Sequence, residues 1–115
     1  MKYYSMNEFN DDVEILSGQI NRKNYSGIYP IPRGGIPLAM SLSQALNLRL
    51  LESIQPRALV VDDLIDSGHT IAPFQADGFD VAVIHLSPNN KAEVPTYFAK
   101  HKDPKARKEF MDLIK

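Results

Sequence analysis

Apolar residues recur at Phe9, Val13, Leu16 and Ile20. Steps of three and four put them on one face of a helix. Ser5 followed by Glu8 reads as a capping box, so the pattern predicts a first helix over about 6–22. The period then changes. "GIYPI" (27–31) is a short strand, and "IPLAMSLSQALN" (36–47) returns to helical spacing with Pro37 in its first turn. "LRLLES" (48–53) has the look of another short strand. "ALVVDD" (58–63) is an apolar run ending in charge, as a buried parallel strand does. Residues 69–76 suit a brief helix limited by Pro73, followed by a buried strand "DVAVIHL" (80–86) and a weaker one at 96–100. Asp103 and Pro104 fit the N-cap and first position of a final helix, 104–114. Helices alternate with strands, so the expected fold is a three-layer α/β domain over 1–115, with a mainly parallel central sheet flanked by helices.

Composition narrows the function classes. A chain of 115 residues that is 43 % hydrophobic can bury one core. Thirteen basic and 14 acidic residues give a net charge of -1, without the basic excess of a non-specific nucleic-acid binder. There is no cysteine, hence no disulfide, thiolate zinc site or cysteine nucleophile, which fits a reducing compartment. No apolar run approaches the roughly 20 residues of a membrane span, and the N-terminus lacks a signal-peptide core. A cytoplasmic location is the expectation.

The chemistry concentrates in "ALVVDDLIDSGHT" (58–70). In an open parallel sheet, ligands bind outside the carboxyl ends of the strands, where Asp62 and Asp63 fall. Neighbouring side chains on a strand point to opposite faces, which argues against a carboxylate pair sharing one proton. Such a pair suits ribose hydroxyls or a hard cation such as Mg²⁺. The "DSGHT" behind it offers main-chain amides to an anion, with Ser67 and Thr70 adding hydroxyls. A solvated strand end explains "VVDD" taken alone. A receiver domain also has an acidic pair after an apolar strand, but there it lies near the N-terminus. Upstream, "PRGG" joins a strand to a helix: its glycines permit close main-chain approach, and Arg33 offers a planar donor fork for phosphate oxygens. A tight turn with a surface arginine is the plainer alternative. No GxxxxGK[ST] string is present.

All thirteen positions of "ALVVDDLIDSGHT" resemble the phosphoribosyl pyrophosphate (PRPP) signature of type I phosphoribosyltransferases, and "PRGG" stands upstream as that family's pyrophosphate loop does. The resemblance covers about residues 26–88. It implies transfer of ribose 5-phosphate from PRPP to a nitrogenous base with release of pyrophosphate, using Mg²⁺. It implies that Asp62 and Asp63 hold the ribose hydroxyls, directly or through the metal. Asp66, Ser67, Gly68, His69 and Thr70 would cradle the 5′-phosphate, and Arg33, Gly34 and Gly35 the pyrophosphate. An acid at position 66 is similar to the purine branch, where it is proposed as general acid/base. That tilts the expected substrate towards a 6-oxopurine and the role towards purine salvage, although Asp66 also fits a helix N-cap.

Two departures qualify the resemblance. Relatives carry a long insertion between the pyrophosphate loop and the PRPP motif, including a mobile lid; here residues 48–57 are all that separate helix and motif. The fold implied therefore has a reduced hood and no long flexible loop. The lysine that reads the purine oxygen is also displaced: Ser87 falls in its place, with Lys91 a few residues on. Lys91 is either a substitute or a solvated loop residue, and Tyr97 or Phe98 either stacks on a base or belongs to the core. His69 and His85 are phosphate contacts at most, since no second ligand lies at metal spacing. The expected partners are PRPP and a nucleobase or nucleoside monophosphate, with no nucleic acid and no membrane; a homodimer is left open. The alternative to an enzyme is a non-catalytic or regulatory PRPP- or nucleotide-binding module.

Overall fold

A computed structural model describes residues 5–32, 34–65, 69–86 and 91–101. Arg33, Asp66, Ser67, Gly68, Ser87 and the expected helix 104–114 lie outside the described residues.

Helix α1 (Met6–Gln19) starts where the sequence predicts, with Ser5 Oγ accepting from the Glu8 amide at 3.1 Å. It stops short of residue 22. Asn21 turns its side chain onto the Lys23 amide and caps a separate 3-10 turn, Arg22–Asn24. Strand β1 (Gly27–Pro30) leads into α2 (Gly35–Leu46). Strand β2 (Ala58–Val61) is buried at every position. Its continuation β3 (Leu64–Ile65) precedes α3 (Ala72–Ala76), β4 (Asp80–Leu86) and β5 (Tyr97–His101). Pro73 lies in the first turn of α3, so it starts that helix instead of limiting it.

All strand pairs are parallel. Both β2 and β3 pair with β4 at one offset of 21 residues (Val61 with Ala82, Leu64 with His85). They are one strand in register, interrupted at Asp62 and Asp63.

The connections decide where a ligand fits. Helix α2 returns the chain to the outer side of β1, where the Ile28 amide bonds to Arg49 O at 2.9 Å and the Leu51 amide to Ile28 O at 2.8 Å. Helix α3 instead carries the chain to β4, beyond β2. The spatial order is therefore 49–51, β1, β2, β4, β5, and the winding reverses between β1 and β2. That reversal opens a crevice at the carboxyl ends of those two strands.

Alternation along the strands divides the core. Leu59, Val61, Ala82 and Ile84 face α1 and α2, meeting Leu16, Leu38 and Leu42. Val60, Val81 and Val83 face Ile71, Phe74 and Phe98 on the other side. The connection 47–57 is short and tightly held. Asn47 closes α2 in the left-handed conformation (φ 53°), and Arg22 donates to Leu46 O and Asn47 O. The Arg57 guanidinium donates to Lys23 O and Asn24 O.

Candidate functional site

The loop after β1 and the acidic stretch after β2 meet in this crevice. The Ile31 amide bonds to Val61 O at 2.8 Å, and the Gly35 amide turns back onto Ile31 O at 3.0 Å. Gly35 packs directly on the Val61 carbonyl, and a β-carbon there would also come within 3.2 Å of Asp62 Cα. A β-carbon on Gly34 would stand 2.8 Å from Asp63 Oδ1. Close approach to main chain thus requires the glycine at 35, whereas at 34 the neighbour is a side chain that can rotate.

Asp62 is buried, 8 % exposed, and Asp63 is exposed. The Asp63 amide donates to Asp62 Oδ1 at 2.9 Å. Asp63 O accepts from the Ile84 and His85 amides at 3.1 and 3.3 Å, which fixes the bend. Burial raises the Asp62 carboxyl to about 7; the Asp63 amide opposes this, while hydrogen bonding and charge from the Asp63 side chain reinforce it. This corrects the expectation that the two side chains point to opposite faces. Strand β2 ends at Val61, so strand alternation does not govern the next two residues, and the Asp63 side chain comes within hydrogen-bonding reach of the Asp62 carboxyl.

Among the other predicted site residues, His69 and Thr70 are exposed in the turn before α3. Lys91 is exposed in the segment between β4 and β5. Tyr97 is drawn away from the acidic pair. Its ring packs on the α1 side of the sheet and its hydroxyl bonds to Tyr25 at 2.7 Å. Tyr25 in turn donates to Asp80 Oδ2 at 2.5 Å, at the amino end of β4, beside a cavity of about 550 Å³ lined by Tyr25, Arg57, Asp77 and Asp80. Tyr97 thus follows the core alternative, and Phe98 packs in the core of the opposite face. Sequence reasoning missed the main-chain parts of the site, the Val61 carbonyl and the Ile84 and His85 amides. Such groups leave no mark in residue type, and the sole hint was the glycine at 35.

The donors fit a hard cation. Two adjacent carboxylates supply oxygen ligands, and no group of three or more His, Cys, Asp or Glu side chains able to hold a metal occurs among the described residues. No helix among the described residues is long and apolar enough to cross a membrane.

No protein-family model and no curated protein matches the sequence. Solved structures do. The xanthine-guanine-hypoxanthine phosphoribosyltransferase of Helicobacter pylori superposes with TM-score 0.71 at 19 % identity, over 96 % of each chain. A hypothetical protein from Neisseria gonorrhoeae with bound ppGpp gives TM-score 0.71 at 17 % identity, over 89 % of this chain and 83 % of that one. The orotate phosphoribosyltransferase of Aeropyrum pernix gives 0.63 at 17 % identity, over 96 % of this chain and 77 % of that one. With its parallel sheet, its winding reversal and its two loops meeting at Asp63, this chain has the fold of the type I phosphoribosyltransferases.

Proposed function

We propose that the chain is a PRPP-dependent phosphoribosyltransferase that moves ribose 5-phosphate to a nitrogenous base, a 6-oxopurine, and releases pyrophosphate. One observation carries this: Gly34 lies against the Asp63 carboxylate, so an anion held at the "PRGG" loop would sit beside groups suited to ribose hydroxyls. In this reading Arg33, Gly34 and Gly35 bind the pyrophosphate, and Asp62 and Asp63 bind the ribose 2′- and 3′-hydroxyls and Mg²⁺. Asp66, Ser67, Gly68, His69 and Thr70 hold the 5′-phosphate. Bound Mg²⁺ would supply positive charge to the departing pyrophosphate oxygens. Asp62 must give up its proton for the pair to bind a cation with full charge. The Arg33 guanidinium and the Gly34 amide steady the leaving group, the Gly35 amide being held by Ile31 O, and Asp66 exchanges a proton with the base. Ser87 and Lys91 are the remaining candidates for base recognition, and the setting this implies is cytoplasmic purine salvage.

The test is pyrophosphate release from PRPP and Mg²⁺ with guanine, xanthine, hypoxanthine, adenine, orotate or uracil. Turnover with a 6-oxopurine, lost in Asp62→Asn and Asp63→Asn, is the expected result. Turnover with none of the six would overturn it.

A second reading has its own support. The connection 47–57 is a closed turn with no hairpin or lid, as suits a regulatory module that binds PRPP or a nucleotide without transfer. It predicts calorimetric binding of PRPP or a nucleoside monophosphate with Mg²⁺, and no turnover with any base.

A further inference from the structure

The cavity of about 550 Å³ lies at the amino ends of β2 and β4, the opposite end of the sheet from Asp62 and Asp63. The proposed transfer does not use it, and its volume is in the range of small-ligand sites. Asp77 and Asp80 both line it, on either side of a turn at Gly78 in the left-handed region (φ 87°). The exposed Asp77 carboxylate meets no donor or cation among the described residues. Asp80 is half-buried. Its Oδ2 takes the Tyr25 hydroxyl, while its Oδ1 meets no donor among the described residues. Water can reach that oxygen, but a charged donor makes the stronger bond to a carboxylate. Arg57 supplies the positive charge of the lining. It adopts φ 63°, and its guanidinium is engaged by Lys23 O at 2.7 Å and Asn24 O at 3.2 Å, not by either carboxylate. Ile54, 41 % exposed, and Phe79 add apolar surface.

We propose that this cavity binds a small organic monocation, an ammonium group on an apolar stem. Two carboxylates and one guanidinium leave the lining one negative charge, which a single positive group neutralises. The ammonium would take Asp77 and Asp80 Oδ1 as acceptors, and the stem would cover Ile54 and the Phe79 ring, whose face also attracts a cation. The net negative charge disfavours an anion, and Arg57 disfavours a polycation. A zwitterion would bring a second carboxylate to a guanidinium that two carbonyls already hold. The proposal goes beyond the PRPP site and stands independently of it.

Titration of the intact protein with 2-phenylethylamine and 3-methylbutylamine, followed by amide chemical shifts, tests it. Both amines are charged near pH 7, as a lysine is. Saturable shifts at Gly78, Phe79 and Asp80 are expected, with a Kd of about 1 mM or tighter, in line with the affinity per atom of small ligands. Phenylacetate reverses the charge on the same ring and 2-phenylethanol removes it; each should bind about tenfold more weakly or not at all. Asp77→Asn, at an exposed position, is expected to weaken amine binding about two- to fivefold. Asp80→Asn keeps an acceptor for Tyr25 and should weaken it about tenfold or more. The proposal is overturned if neither amine gives a saturable shift by about 10 mM, ten times that Kd. Shifts confined to Asp62 and Asp63 overturn it too, as do equal binding of phenylacetate or 2-phenylethanol and unchanged affinity in both variants. Tighter binding of phenylalanine than of 2-phenylethylamine would give Arg57 a carboxylate partner and replace the monocation with a zwitterion.

Discussion

Gly35 packs its Cα on the main-chain carbonyl of Val61, and the same backbone approach brings Gly34 against the Asp63 carboxylate. The two contacts differ in what can yield. A methyl at position 35 meets main chain in the most buried strand, whereas one at 34 meets a side chain that can rotate. Gly35→Ala is therefore expected to cost about 1–3 kcal/mol, as overpacking does. It should also weaken PRPP binding at least tenfold by moving the loop. Gly34→Ala is expected to leave the melting temperature nearly unchanged while still weakening binding. Thermal melts and calorimetry check both. A Gly35→Ala protein with wild-type stability and affinity would contradict the packing.

The buried Asp62 makes the ligand-free protein sensitive to pH. Its folded value of about 7 lies above the ordinary carboxylate value of 3.8. Between those limits the folded state holds a proton that the unfolded state has lost, so stability falls as pH rises from about 4 to about 7, then levels. Asp62→Asn removes that proton linkage. It is expected to stabilise the empty protein by on the order of 2 kcal/mol at pH 8, and by little at pH 4. The same variant should not bind PRPP with Mg²⁺. Denaturant melts at the two pH values read the first effect. Calorimetry in buffers of different ionisation enthalpy reads the second, as proton release by the wild type near pH 7.

Apolar spacing foretold the first two helices, the strand at 80–86 and the buried run at 58–61, because burial selects residue type at those positions. Where the main chain decides, the sequence was less informative. The expected strand through Asp63 is broken at the acidic pair because Asp63 O takes two amides from β4, and any residue could have supplied that carbonyl. The approach of the Asp63 side chain to the Asp62 carboxyl follows from the same bend. Tyr97 was ambiguous from the sequence because an aromatic ring suits both a base and a core; the hydroxyl of Tyr25, some 70 residues away in the chain, decides between them.

Tyr25 joins three parts of the fold at the amino ends of the strands. Its hydroxyl meets Asp80 and Tyr97, and burial, followed by these hydrogen bonds, raises it well above an ordinary tyrosine. Tyr25→Phe leaves the Asp80 carboxylate without that donor and is expected to cost about 1–3 kcal/mol. Because the cluster lies away from Asp62 and Asp63, affinity for PRPP should not change. A double-mutant cycle with Tyr97→Phe should give a coupling of about 0.5 kcal/mol or more, as hydrogen-bonded neighbours do. Equal losses of stability and affinity in Tyr25→Phe would tie this end of the sheet to the site.

The tightly held connection 47–57 bears on what happens to PRPP once bound. Asn47 ends α2, the guanidinium of Arg22 ties the end of α2 to the following turn, and Arg57 anchors the far side. No part of this segment is long enough to fold over Asp63 and shut out water, and exclusion of water is what protects a reactive intermediate from hydrolysis. If the chain is a transferase, PRPP bound at Asp62 and Asp63 should therefore release pyrophosphate slowly even without a base. Ribose 5-phosphate should form in equal amount. Both products should disappear in Asp62→Asn and Asp63→Asn, which separates the reaction from contaminating phosphatases. Strict dependence on a base would mean that water is excluded by something other than this connection.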